Sequence, residues 1–158
     1  MPNDAAGLDE LEHRLDELLR NVSPPERVRL AHQLGRELRR SQARRIRDNR
    51  NPDGSAFEPR KERDPLRAKA GRIKRRKKAG PMFRKMGRPD ALEWEASSEG
   101  VSVGFAGAAL QRIARVHQSG LRDRVSRNGP EAQYPARHLL GLDDADRRRI
   151  LDIVLARL

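Results

Sequence analysis

The residues able to do chemistry are few. Histidines stand at His13, His32, His117 and His138, and cysteine is absent, which excludes thiolate metal sites, Cys nucleophiles and a disulfide scaffold. None of the histidines is paired with another histidine or a carboxylate at a spacing typical of metal binding. His117 and His138 can approach in space, but two imidazoles want a third ligand. They read as partly buried, hydrogen-bonded side chains. Ser41, Ser97, Ser98, Ser119 and Ser126 lack a nucleophile-elbow setting, and Gly100, Gly104 and Gly107 do not build a phosphate loop behind a strand. Asp9, Glu10, Glu12, Asp16 and Glu17 sit among leucines at spacings that make a wet helical face, not a convergent acid–base pair. These residue types point to a protein that is not an enzyme and needs neither metal nor cofactor.

Cations are what the chain has in excess: the formal net charge is +12, and it is unevenly spread. Six acids against two arginines give residues 1–22 a charge of −4, while nine bases against three acids give residues 23–50 a charge of +6. Residues 58–80 hold eleven bases against three acids, or +8, concentrated in Arg72, Lys74, Arg75, Arg76, Lys77 and Lys78. Such a run implies an anionic partner, nucleic acid or an acidic protein surface. No aromatic residue interleaves with it, so base stacking is not its mode of binding, and no zinc-finger, RRM or KH signature is present. Contacts to DNA would go to phosphates and weaken steeply with salt.

The elements that must carry these residues are legible from periodicity. Leu8, Leu11, Leu15, Leu18, Leu19 and Val22 form one face of a short amphipathic helix. Ser23-Pro24-Pro25-Glu26 opens a second, with Ser23 and Glu26 placed for a capping box. Its apolar stripe runs Val28, Leu30, Ala31, Leu34, Leu38, Gln42 and Ile46, with Arg45 and eight other arginines on the remaining sides, and it should stop at Asn51-Pro52-Asp53-Gly54. The opposite charges of the two helices favour antiparallel packing or pairing between subunits. Met82, Phe83 and Met86 suggest a helical turn. Alternation of Leu92, Trp94 and Ala96, then Val101, Val103 and Phe105, predicts a hairpin with one buried face. Ala109, Leu110, Ile113, Ala114 and Val116 predict a helix ending at Gly120, and Asn128-Gly129 predicts a second hairpin turn using positive φ. Asp143 caps a last helix with Leu151, Val154, Leu155 and Leu158 on its apolar side, flanked by Ile150 and Ile153. Gly141 is expected to end a strand, Pro135 to hold an extended segment, and Arg137 to pair with an acid such as Asp143 or with a neighbouring subunit.

The fold class is α+β: two N-terminal helices, a long basic arm, a small antiparallel sheet with a crossing helix, and a C-terminal helix. The expected division is 1–57 for the helical pair and turn, 58–80 for the arm and 81–158 for the α+β core, within one domain overall. Charged residues outnumber hydrophobic ones, 37% to 35%, so the core should be thin. No stretch reaches the roughly 20 apolar residues that span a bilayer, and residues 1–9 lack the features of a secretory signal; the expected site is the host cytoplasm.

Two segments in order, Ile113-Ala114-Arg115-Val116-His117-Gln118-Ser119-Gly120 and Tyr134-Pro135-Ala136-Arg137-His138-Leu139-Leu140-Gly141-Leu142, follow Asn51-Pro52-Asp53-Gly54-Ser55-Ala56-Phe57-Glu58-Pro59-Arg60. Together they closely resemble the phage virion morphogenesis, or tail completion, family of contractile-tailed phages. The resemblance implies a late structural protein of the virion that finishes the head-proximal end of the tail or neck so that tails join DNA-filled heads. It implies a homo-oligomeric ring, six subunits being favoured, touching tail tube, sheath and neck or connector proteins. On that reading the basic arm faces DNA in the channel lumen or clamps an acidic neighbour. The family motif residues are His117, Gln118, Gly120, Tyr134, Pro135, Ala136, Arg137 and Gly141. The competing reading is a free basic nucleic-acid-binding protein.

Overall fold

The computed structural model describes residues 3–20, 22–60 and 82–157. In chain order its elements are α1 (Asn3–Leu19), α2 (Pro24–Arg47), a 3-10 turn (Pro89–Ala91), β1 (Leu92–Ala96), β2 (Val101–Phe105), α3 (Ala108–Gln118), β3 (Arg122–Arg124), β4 (Glu131–Gln133) and α4 (Asp144–Leu155). This is an α+β fold. β1 and β2 pair antiparallel with Leu92 opposite Phe105 and Trp94 opposite Val103; β3 and β4 form a separate two-stranded sheet with Asp123 opposite Ala132.

α2 is the axis on which the first hairpin and α4 pack. Ser23 stands at its N-cap, but the capping box is only half built. The Ser23 hydroxyl donates to the Glu26 carboxylate at 2.6 Å instead of accepting a backbone N–H. That hydroxyl, then the Ser23 backbone N–H, holds the Glu26 carboxyl below its usual pKa. At the other end Asn49 takes φ 54°, and the N–H groups of Asn49 and Arg50 return to the carbonyls of Ile46 and Arg45. This Schellman closure stops the helix before the Asn51–Gly54 turn. Arg27 donates to the Leu19 and Val22 carbonyls at 2.7 and 3.0 Å, satisfying the C-terminal end of α1 with a cation, which the helix dipole also favours.

Two small hydrophobic clusters result. Ala43, Ile46, Phe57, Met86, Leu92, Phe105, Ala114 and Leu139 join α2 to the first hairpin and α3. Leu11, Leu30, Leu34, Ile150 and Val154 join α1, α2 and α4. Trp94 lies directly over Gly35, where any Cβ would overlap the indole, and Arg39 covers the ring at 4.6 Å. α4 is capped by Asp143, whose carboxylate accepts the Asp146 N–H at 2.7 Å. Its buried residues include Ile150 and Val154, while Leu155 points outward. Leu158 lies outside the described residues. The second hairpin closes without positive φ at Asn128 or Gly129. Gly129 donates to the Ser126 carbonyl at 3.0 Å, and its lack of a side chain makes room for the Ser126 hydroxyl.

Candidate functional site

The two motif segments, distant in sequence, lie against each other. Leu121 N–H returns to the Val116 carbonyl at 2.8 Å and Gly120 N–H to that of His117 at 3.4 Å, so α3 also ends in a Schellman turn. Gly120 has φ 60°, and a Cβ there would stand 3.0 Å from the Ala136 nitrogen, so both conformation and space require glycine. Across this close approach, Arg137 N–H donates to the His117 carbonyl at 2.7 Å. Gln118 then treats the incoming chain as a strand would: its amide donates to the Leu140 carbonyl at 2.9 Å and its oxygen accepts the Leu140 N–H at 3.0 Å.

Arg137 is buried at the centre, 3% exposed. It does not pair with Asp143. Nε donates to the Glu58 carbonyl at 2.7 Å, Nη2 to the Pro59 carbonyl at 3.2 Å, and Nη1 to His117 Nδ1 at 3.0 Å. A guanidinium has only donors, so His117 accepts at Nδ1 and carries its proton on Nε2. Burial, then Arg137, then Arg60 push the His117 pKa down to about 4, and the ring is neutral at pH 7. Edge-on rings enclose it, Phe83 at 4.7 Å and Tyr134 at 5.1 Å between centroids. Phe57 in turn meets Phe83 at 5.8 Å. Phe83 holds a left-handed backbone, φ 57°, unusual for so bulky a side chain. Its carbonyl accepts from Met86 and Gly87, and Asn49 Oδ1 accepts the Met82 N–H at 3.1 Å.

The cluster therefore grips both ends of segment 61–81, residues 57–59 before it and 82–83 after it. The basic residues Arg72, Lys74, Arg75, Arg76, Lys77 and Lys78 lie inside that segment, outside the described residues.

Gly141 belongs to an adjoining polar centre and ends no strand. Its φ is 150° and a Cβ would stand 2.6 Å from Pro52 Cγ. Its carbonyl accepts from Gln42 at 2.8 Å and from Arg45 at 3.1 Å. Periodicity puts Arg45 on an outer side of α2; the structure buries it, donating also to the His138 and Leu139 carbonyls and to the Gln42 side chain. Burial pulls its guanidinium below the usual arginine pKa, and burial raises the carboxyl of Asp146, which accepts from Gln42 at 3.3 Å. The one sequence signal for this centre is Gln42, a polar residue in the apolar phase of α2. Pro135 lies in the irregular stretch after β4, and Ala136 in the same stretch backs Gly120.

The arrangement is built to hold chain segments. His13 does have a carboxylate one turn away, Glu17 at 3.6 Å, but both side chains are well exposed and form a surface pair. Among the described residues no group of three His, Asp or Glu could hold a metal ion. Gly100-Val101-Ser102-Val103-Gly104 carries the letters of a nucleophile elbow, yet Ser102 sits exposed within β2, opposite Glu95, and not on a strand-to-helix turn. No helix among the described residues is long and apolar enough to cross a membrane.

A model of the phage virion morphogenesis family matches residues 6–158. Tail completion protein S of Escherichia phage P2 is 40% identical over 147 residues, covering 93% of this chain and 94% of that protein. No solved structure matches.

Proposed function

The chain belongs to the phage virion morphogenesis family, and from that premise we propose that it is a non-enzymatic virion protein that completes the phage tail. It caps the head-proximal end as a homo-oligomeric ring, six subunits being favoured, and there allows tails to join heads. The observation that carries this reading is the near full-length, colinear likeness to a protein named for tail completion. The motif cluster supports it, because its chemistry is that of an anchor: neutral histidine, buried arginine and backbone carbonyls, with nothing aimed at a substrate. The arm it roots then meets a neighbour through Arg72, Lys74, Arg75, Arg76, Lys77 and Lys78, either DNA in the lumen or an acidic tail or neck protein. Assembly takes place in the host cytoplasm.

The test is genetic and structural together. A phage in which this gene carries a stop codon should yield filled heads and full-length tails that remain separate in electron micrographs. Adding the purified protein to that lysate should restore joined particles. Joined, infectious particles formed without the protein would overturn the proposal.

A further inference from the structure

Two exposed helix faces carry opposite charge. On α2, Arg29, Arg36, Arg40, Arg44 and Arg47 are exposed and recur at steps of seven, four, four and three, so they share one side of the helix over about 27 Å. Arg29, Arg36, Arg44 and Arg47 make no ion pair among the described residues; the one carboxylate paired within the stripe, Glu37, lies 3.2 Å from Arg40 and 3.5 Å from Arg149 of α4. On α1, Asp9, Glu10, Asp16 and Glu17 are exposed on the side away from Leu11, and among the described residues only Glu17 is paired, with His13. Leu11 shares a cluster with Leu30 and Leu34, which lie roughly a third of a turn around α2 from the centre of the arginine stripe. Among the described residues, no acid of α1 pairs with an arginine of this stripe in its own subunit.

We propose that the acidic face of α1 in one subunit docks on the arginine stripe of α2 in the next copy of this chain, and that this contact closes the ring. The inference rests on the ring reading above. The spacing is complementary: Asp9 with Glu10 and Asp16 with Glu17 are two carboxylate pairs seven residues, about 10.5 Å, apart along α1. Arg36 with Arg40 and Arg44 with Arg47 are two cation pairs at nearly the same separation along α2. Every exposed cation of the stripe is an arginine, whose planar fork binds a carboxylate through two parallel hydrogen bonds where a lysine offers a point charge. A contact between two unlike faces, repeated in one direction from copy to copy, is head-to-tail, the kind that propagates into a ring.

The test uses two full-length variants. One carries Asp9→Lys, Glu10→Lys, Asp16→Lys and Glu17→Lys; the other carries Arg36→Glu, Arg40→Glu, Arg44→Glu and Arg47→Glu. By light scattering, each alone should stay monomeric at concentrations at least about tenfold above the wild-type assembly midpoint, since like charges then face each other. Their equimolar mixture should regain the wild-type mass, because it restores native contacts alternating with reversed ones; this recovery also shows that both variants are folded. Wild-type-like assembly by either variant alone, or no recovery on mixing, overturns the contact while leaving the ring reading standing. A stripe variant that assembles normally but no longer retains a short DNA duplex assigns the stripe to phosphates instead. A wild-type protein that forms no ring, alone or on tail tubes, removes the ring reading and this contact together.

Discussion

Arg137 keeps its charge in the interior because three acceptors, two of them the Glu58 and Pro59 carbonyls, replace the water it gives up. Removing the side chain orphans those acceptors, so Arg137→Ala should cost about 2–4 kcal/mol in urea unfolding. Arg137→Lys should recover little of it, since one ammonium cannot reach three divergent partners. His117 supplies the pH dependence. Its folded pKa, about 4, lies below its ordinary value of 6.5, so between those values the unfolded chain takes up a proton that the folded chain refuses. Stability contributed by this group is therefore full above pH 6.5 and is lost as pH falls towards 4. His117→Asn keeps an acceptor near the Nδ1 position and cannot titrate, so its stability should fall less than wild type between pH 7 and pH 4.5. Equal losses in the two proteins would show that His117 does not titrate in that range. Sequence alone names His117 and Arg137, because the family motif marks them, but gives Arg137 to an acid such as Asp143 or to a neighbouring subunit. The partners of Arg137 are the His117 ring and two backbone carbonyls, and the carbonyls carry no residue signature and are placed only by the fold.

The elements themselves are largely legible, because α2, the first hairpin and α4 follow simple periodicity, and α2 and α4 open on recognisable cap residues. What escapes is local and depends on contacts from distant chain. α2 stops at Arg47 because Asn49 adopts the left-handed cap, and Arg45 turns inward because the segment from His138 to Gly141 presents carbonyls to it. Likewise, the Asn128-Gly129 pair makes a turn with ordinary φ. Gly35 is the element-scale test. A mid-helix glycine is normally improved by alanine, but here a Cβ would overlap Trp94 and push β1 away from α2. Gly35→Ala should destabilise by about 1–3 kcal/mol and shift the emission of Trp94, the only tryptophan in the chain. A stabilised variant with unchanged fluorescence would contradict this packing. Gly120→Ala should cost at least about 1–2 kcal/mol from its left-handed backbone alone, checked by the same unfolding measurement.

At the scale of the whole molecule, two small hydrophobic clusters and a strongly charged exterior suit the proposed ring, in which a subunit would gain burial on assembly. The net charge of +12 makes subunits repel one another unless acidic and basic faces are brought into register, so assembly should be selective in orientation and weakened by salt. The most direct test of the central claim is the mass of the purified protein by light scattering, across a concentration and salt series, with and without isolated tail tubes. One discrete ring mass is expected, formed in solution or on tube ends, that dissociates as salt rises. A protein that stays monomeric throughout, ignores tubes and binds DNA with a steep salt dependence would contradict it and favour a free nucleic-acid-binding protein.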